Sequence, residues 1–470
     1  MPTVHTSPFS GTWYPDRVSD LESLLDERFA QSRARTGPFL FHDALAFIVP
    51  HAGPVYSGAV AAAVYRALRQ QQPEQIVVLA FPHRGGLRSV ATPDVDAIAT
   101  PFGAVTIDRD FVPFPRVAES RVCDHSFEIQ LPFLQSAVPG ARVTPVYVGR
   151  LDAAARRDTA GALAKAWRPG VVFLASSDFT HYGQQFGYVP WPLDNTVGAR
   201  LEALDSECVA AASSLDADLF LEQLGETGAT VCGMDPIALL LETLWQIDGP
   251  AIYQSTLDYQ TSGEVTGDFA HSVSYAALGY FRREAFDLEP RDCEALVGSV
   301  TETLWKLRES GWRDPVRAQG GSPALESRRS AFVSLHRGQQ LLGCAGNCHS
   351  RAPLAEEVPK LALSAALVDP RFRPPADVLG RIDIEISVLT PLRRVRGPEH
   401  LSVGRHGALM RLGARAGLLL PQVAAGRSWT TEEFLEALAR KCLFGPHAWR
   451  DPEALLSIFE AQVFGGAVNY

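Results

Sequence analysis

The sequence contains no long apolar run, no basic leader and no regular cysteine framework. No apolar stretch reaches the ~18 residues that a membrane span needs, so no membrane partner is expected. The N-terminal segment MPTVHTSPFSGTWYPDR has neither a basic nor an apolar region of the kind that directs secretion. Its seven cysteines, at 123, 208, 232, 293, 344, 348 and 442, are odd in number and irregular in spacing, which fits a reducing compartment. A cytoplasmic location is therefore expected. Positive charge is also short: 43 Lys and Arg stand against 53 Asp and Glu, a net charge of −10. Such a chain is a poor match for a phosphate backbone, and no nucleic-acid partner is expected. There is no internal repeat, no low-complexity tract and no C-x3-C-x2-C cluster motif.

What is present is ample core material and a change of rhythm. At 470 residues, 46% of them hydrophobic, the chain has room for two or three domains. The first half alternates short apolar runs with amphipathic segments. Ala44–Val49, Gln75–Phe81, Arg142–Val148 and Val171–Ala175 have the β-branched, uniformly apolar character of central strands. Ser57–Gln70 and Asp152–Trp167 read as helices. The alternation predicts an α/β fold with a largely parallel or mixed sheet. The charged stretch Phe281–Arg291 is the expected linker. Beyond it, Arg381–Leu389 alternates Ile382, Ile384, Ile386 and Val388 with Asp383, Glu385 and Ser387, predicting an antiparallel strand with one buried face. Phe332–Cys344 reads as two strands about an Arg337-Gly338 turn. Gln319–Pro323 reads as a loop, and Thr430 with Glu433 as a capping box for a helix over Glu432–Cys442. The second half is α+β.

Three predicted strands are followed by histidines: His51, His83 and His181. In an open α/β sheet, sites gather at the carboxyl ends of strands, so residues remote in sequence meet there. A lone histidine is ordinarily structural; it is the shared position that draws attention to these three. Cys232, in ATVCGMDPI, precedes a helix for which Asp235 and Pro236 are suitable N-cap and N1 residues. A helix N-terminus favours thiolate. Asp178, three residues before His181, is placed to orient its imidazole. Asp124, His125 and Glu128 open the apolar run DHSFEIQLPFL, and a helix there would set His125 and Glu128 on one face.

These blocks resemble the Memo family, protein B of the AmmeMemoRadiSam system. The matching pieces are GTWYP at 11–15, PHAGPVYSG at 50–58, DHSFEIQLPFL at 124–134, SSDFTHYG at 176–183, TVCGMDPI at 230–237 and SVSYAALGYF at 272–281. The second histidine block departs from the family's GPxH, reading LAFPHRGG. The resemblance implies a fold of the LigB, or class III extradiol dioxygenase, type over residues 1–283. It also implies a mononuclear metal held by His51, His83 and Cys232. Fe(II) is the first expectation, with copper and zinc as alternatives. His181 would be the catalytic acid/base with Asp178 beside it. Trp13, His125 and Glu128 would contact the substrate. The implied activity is that of a metal-dependent oxygenase or redox enzyme on a small, aromatic molecule. The alternative is a non-enzymatic metal-containing module that binds a peptide or other ligand.

Residues 284–470 resemble the AMMECR-type family, protein A of the same system. The motifs are LLGCAGN at 341–347, AALVDPRF at 365–372, IDIEISVLTP at 382–391, VGRHG at 403–407 and GLLLPQVA at 417–424. Leu342 stands where the family has Arg, Ala345 replaces an Ile, and RKCLFGPHAW replaces a late Lys-Ala-Gly-Leu motif. Cys344, Cys348 and His349 lack the second pair that a zinc site would need. The fusion of two such components implies a radical-SAM protein as partner.

Overall fold

Apolar runs too short for helices form the centre of the first unit. In the computed structural model, which describes residues 2–348, 350, 352–369 and 382–468, these runs become β1 (Ala44–Val49), β2 (Gln75–Ala80), β3 (Arg142–Val148) and β4 (Val171–Ser176). Every residue of β1, β2 and β4 is buried. Full burial of a Leu or Val stabilises by ~1.5–3 kcal/mol, and a strand buried at consecutive positions needs cover on both faces. On one face Val77 and Leu79 join Leu163 of α2 (Ala153–Ala166) and Leu240 of α3 (Met234–Asp248) in one apolar cluster. Ile76 and Val78, also fully buried, alternate to the other face. Helix α1 (Pro54–Gln71) packs on β1 and on the later strand β6.

Among the described residues the main sheet has nine strands and is mixed. Its parallel centre runs β1-β4-β2-β3. Two antiparallel strands, β5 (Ile252–Thr261) and β6 (Ser272–Arg282), continue it beyond β1. Val90–Pro93 pairs antiparallel with β3 at the other side. The expected α/β class with a mixed sheet is what the first unit shows.

Several boundaries differ from expectation. Helix α1 starts at Pro54 instead of Ser57, because proline at N1 has its φ already set for a helix and lacks only an amide that would be unpaired there. Helix α3 starts at Met234 with Gly233 as N-cap. Asp235 and Pro236, expected to cap and begin it, instead lie within its first turn. The expected linker is largely structured: Phe281 and Arg282 end β6, a 3-10 turn spans Arg283–Phe286, and α4 (Pro290–Ser310) begins with a capping box of Glu289 and Asp292. The chain divides into one unit of Met1–Gly37 and Phe41–Ala285 and another of Pro38–Leu40 and Phe286–Tyr470.

The second unit holds two four-stranded sheets among its described residues. In the first, β7 (Ala331–Arg337) lies between β8 (Gln340–Gly346) and β9 (Ile382–Leu389), and β14 (Ala461–Val468) closes the far side, all antiparallel. Ile382, Ile384, Ile386 and Val388 pack with Leu296 and Val300 of α4 and with Val358 of α5 (Leu354–Leu367). Ser387, expected on the open face, is buried beneath the Gln422 amide, which donates to it at 2.8 Å. The second sheet is β10 (Arg393–Val395), β13 (Leu455–Phe459), β11 (Gly407–Leu412) and β12 (Arg415–Leu419) in that order. It shares a core with α6 (Thr431–Lys441), whose capping box of Thr430 and Glu433 is formed. Arg381, Pro370–Phe372 and His349, named above, lie outside the described residues.

Candidate metal centre

Strands β1, β4 and β2 are neighbours and parallel, so their carboxyl ends open side by side. His51 follows β1 by two residues, Ser177 and Asp178 continue from β4, and His83 follows β2 by three. Strand β6 runs antiparallel to β1 and begins beyond its carboxyl end. There Ser272 and Val273 pair with Tyr182 and His181. That overshoot carries His181 to the same edge from the other side. Cys232 arrives from the loop before α3. Together with His125 and Asp178, these groups line one cleft of about 730 Å³. Trp13, Tyr56 and Phe186 supply its apolar wall.

Hydrogen bonds fix how the rings face. The Ser176 hydroxyl donates to the Ser126 carbonyl. Its oxygen therefore accepts from His51 Nδ1–H at 3.0 Å and from the Gln130 amide at 3.0 Å. Gln130 is locked in turn by the Pro50 carbonyl at 3.0 Å and the Tyr65 hydroxyl. With its proton on Nδ1, His51 presents a lone pair at Nε2, 3.1 Å from Cys232 Sγ. His83 Nδ1 donates to Asp124 Oδ1 at 2.8 Å, which leaves Nε2 unprotonated in the same way. Asp124 is pinned as an N-cap by the Ser126 amide at 3.0 Å. One donor atom from each of His51, His83 and Cys232 lies within 4.8 Å of the others.

The electrostatics suit a cation. One side of Cys232 opens to the cleft, yet the protein packed around it, and then Asp178, push its thiol above the ordinary range. Burial, followed by the His125 and His83 rings, pushes the His51 imidazole well down. Both groups are thus neutral near pH 7, and the S–H of Cys232 points its proton at His51 Nε2. A metal ion fits by replacing that proton: two imidazole lone pairs and one thiolate are a donor set for Fe(II), copper or zinc. For Asp124, burial works upward but the hydrogen bonds from His83 and from the Ser126 amide help to outweigh it, so it stays a carboxylate.

His181 Nδ1 lies 2.9 Å from the Phe179 carbonyl and 3.0 Å from the Thr230 carbonyl. Carbonyls only accept, so Nδ1 carries a proton and donates to both, which holds the ring in place. The expectation that Asp178 orients this ring is corrected. Its carboxylate turns to the backbone and accepts from the His51 amide at 2.8 Å. Glu128, expected beside the substrate, is likewise elsewhere. It is fully buried, absent from the cleft lining and paired with His5 at 3.2 Å. Three residues at ~100° each leave the two side chains ~60° apart, and His125 faces outward while Glu128 faces inward. His125 does line the cleft, stacked on His83 with centroids 4.2 Å apart and covered by Trp13 at 4.7 Å. Burial pushes its imidazole down to about 4. Cys344 and Cys348 join no metal-ligating group among the described residues.

Sequence reasoning missed Ser176, Gln130 and Gly233. A glutamine inside the apolar run IQLPFL was the available signal for Gln130. Gly233 is required by close approach: a Cβ there would lie 2.5 Å from Ser177 Cβ and 2.7 Å from the Ser176 carbonyl oxygen.

The fold and cleft define a class: a mixed α/β domain with a two-histidine, one-cysteine candidate metal centre at the carboxyl ends of its strands. The chain belongs to the Memo-like protein family, whose model matches residues 6–279. The AMMECR1 family matches residues 302–464. A MEMO1 family protein of Thermoplasma acidophilum is 32% identical over 278 residues, covering 57% of this chain and 96% of that one. Protein MK0488 of Methanopyrus kandleri is 38% identical over 181 residues, 36% of this chain and 86% of its own. The crystal structure of an uncharacterized protein from Pyrococcus horikoshii is similar at 30% identity and a TM-score of 0.35, covering 37% of this chain and 92% of that one.

Two outcomes are expected. Because the ion replaces the Cys232 proton, metal affinity rises about tenfold per pH unit between about pH 7 and 9, and the loss of that slope in Cys232→Ser is the check. Gly233→Ala forces Cys232 away from β4. Chemical unfolding is expected to show a loss of ~1–3 kcal/mol, and metal titration a weaker site.

Proposed function

We propose that this chain is a metal-dependent oxygenase of the extradiol type, acting on a small aromatic molecule that carries an ionisable hydroxyl. The observation that carries this reading is the shared cleft. The donor atoms of His51, His83 and Cys232 converge there, and His181 lines the same space. His51, His83 and Cys232 would hold one ion, Fe(II) first among candidates. When bound, that ion supplies open coordination positions for substrate and dioxygen.

The remaining work belongs to the protein. His181 Nε2 accepts the substrate hydroxyl proton, while its Nδ1–H stays anchored on two carbonyls so that the ring does not turn. Trp13, Tyr56 and Phe186 offer apolar surface to an aromatic ring and displace water from it. His125, held neutral by burial, offers a second polar contact without adding charge. A thiolate ligand would be a softer, stronger electron donor than a carboxylate, so the redox behaviour of the ion is expected to differ from that of a two-histidine, one-carboxylate site.

One feature favours a second reading as a ligand-binding module. Trp13, Val55 and Tyr56 at the cleft mouth are 38%, 47% and 46% exposed, a surface that suits a peptide side chain. The AMMECR1 half suggests action beside a radical-SAM protein, which co-purification from native extract would test.

Oxygen uptake on catechols and aminophenols, with Fe(II) loaded anaerobically, is the direct assay. His181→Gln is expected to lower kcat by ~10²–10⁴ with metal content unchanged. No turnover by wild type across the panel contradicts the oxygenase reading. An effect of His181→Gln on ligand binding alone supports the module.

A further inference from the structure

A second set of ligand-type side chains sits outside the cleft lining. His5 lies on the strand Val4–Thr6, which pairs parallel with Ala97–Thr100. Cys123 immediately precedes the N-cap Asp124, and Glu128 ends the helical turn that follows. One donor atom from each of His5, Cys123 and Glu128 lies within 4.8 Å of the others. His5 Nε2 is 3.2 Å from Glu128 Oε1, and its Nδ1 is 3.2 Å from Glu119 Oε2. Glu128 is fully buried, and its second oxygen, Oε2, has no hydrogen-bond partner among the described residues.

A protonated His5 accounts for only part of this. It satisfies Glu119 and one oxygen of Glu128, but leaves Glu128 Oε2 orphaned in the interior. A buried carboxylate oxygen with no donor is uncommon and calls for an occupant. The arrangement instead matches a metal-bound histidine, in which one ring nitrogen meets the ion and the other is held by a carboxylate. A Glu128 carboxylate that binds the ion through both oxygens would occupy Oε2 as well as Oε1, and the 3.2 Å from His5 Nε2 to Oε1 is close to the ~3.4 Å expected between nitrogen and oxygen donors on one ion. The local field also favours a cation. The hydrogen bond to Glu128 raises the His5 imidazole against its burial, and burial with Glu128 and Glu119 pushes the Cys123 thiol up to about 12.

We propose that His5, Cys123 and Glu128 form a second divalent-metal site suited to zinc, with Glu119 steadying His5 from its other nitrogen. Nitrogen, sulfur and oxygen donors together select zinc over the hard cations. Three protein donors leave a fourth position for solvent. Glu119, whose side chain is 44% exposed, marks the way in. The ion would tie the N-terminal strand to the segment Cys123–Glu128. That segment also presents Asp124 to His83 and His125 to the cleft, so occupancy would steady the first site.

The test uses the full chain carrying His51→Ala and Cys232→Ser, which removes two of the first site's three donors and its only thiol, titrated with Co(II) in place of zinc. The expected result is one Co(II) per chain with thiolate-to-metal charge-transfer absorption. Adding Cys123→Ser abolishes that absorption, and Glu128→Gln weakens binding at least tenfold. Circular dichroism of the metal-free chains checks that each variant is folded. Absence of the thiolate band, or its survival in folded Cys123→Ser, overturns the proposal. Should a variant unfold, elemental analysis of zinc-loaded wild type against Cys123→Ala decides: one ion fewer per chain in Cys123→Ala supports it, and equal content overturns it.

Discussion

The candidate site depends on one shared proton, the S–H of Cys232 directed at His51 Nε2 across 3.1 Å. Everything around it holds that pair in place. Ser176, the last residue of β4, sets the His51 tautomer because its own hydrogen is already given to Ser126. The Asp178 amide donates to the Cys232 sulfur at 3.3 Å, and the Gly233 amide donates to Ser177 at 2.9 Å. Ser176, Ser177 and Asp178 are consecutive, so the end of a single strand positions both the nitrogen and the sulfur. Shifting that strand by one residue would reverse every side chain and dissolve the site.

The same pair accounts for the chemistry open to the cleft. A neutral thiol and a neutral imidazole are what burial imposes on these residues when no cation is present. A bound ion would reverse the cost, because its charge pays for the thiolate that the surroundings otherwise disfavour. The apolar sheet core beneath supplies the rigidity that such a neutral, buried arrangement requires. His181 stands apart from this network, anchored through Nδ1 on two carbonyls, and its other ring nitrogen is not among the donors that would hold the ion.

Much of this was legible in the residues. Uniform runs such as ALAFIV and QIVVLA could only be covered strands, and the histidines after them had to gather at one sheet edge. Cys232 was visible from its place before a helix. The partners were not legible. Nothing local distinguishes Asp178 as an orienter of His181 from Asp178 as an acceptor of the His51 amide; that depends on where β1 ends relative to β4. Glu128 follows His125 by three residues, yet the ~60° that this leaves between them on a helix sends one inward. His5 and Cys123 carried no signal, because their meeting is made by a strand pairing that brings the N-terminus beside a segment more than a hundred residues on. The stretch Phe281–Arg291, expected as a linker, is largely structured, since Phe281 and Arg282 finish a strand and Pro290 opens a helix.

The central claim is that sulfur from Cys232 and nitrogen from His51 and His83 meet on one ion. X-ray absorption at the zinc edge tests it most directly, on a Cys123→Ser chain loaded with one equivalent. The account predicts one sulfur neighbour at ~2.3 Å with nitrogen neighbours at ~2.0–2.1 Å, the sulfur vanishing in Cys232→Ser. A shell of oxygen and nitrogen alone, unchanged by that substitution, would contradict it.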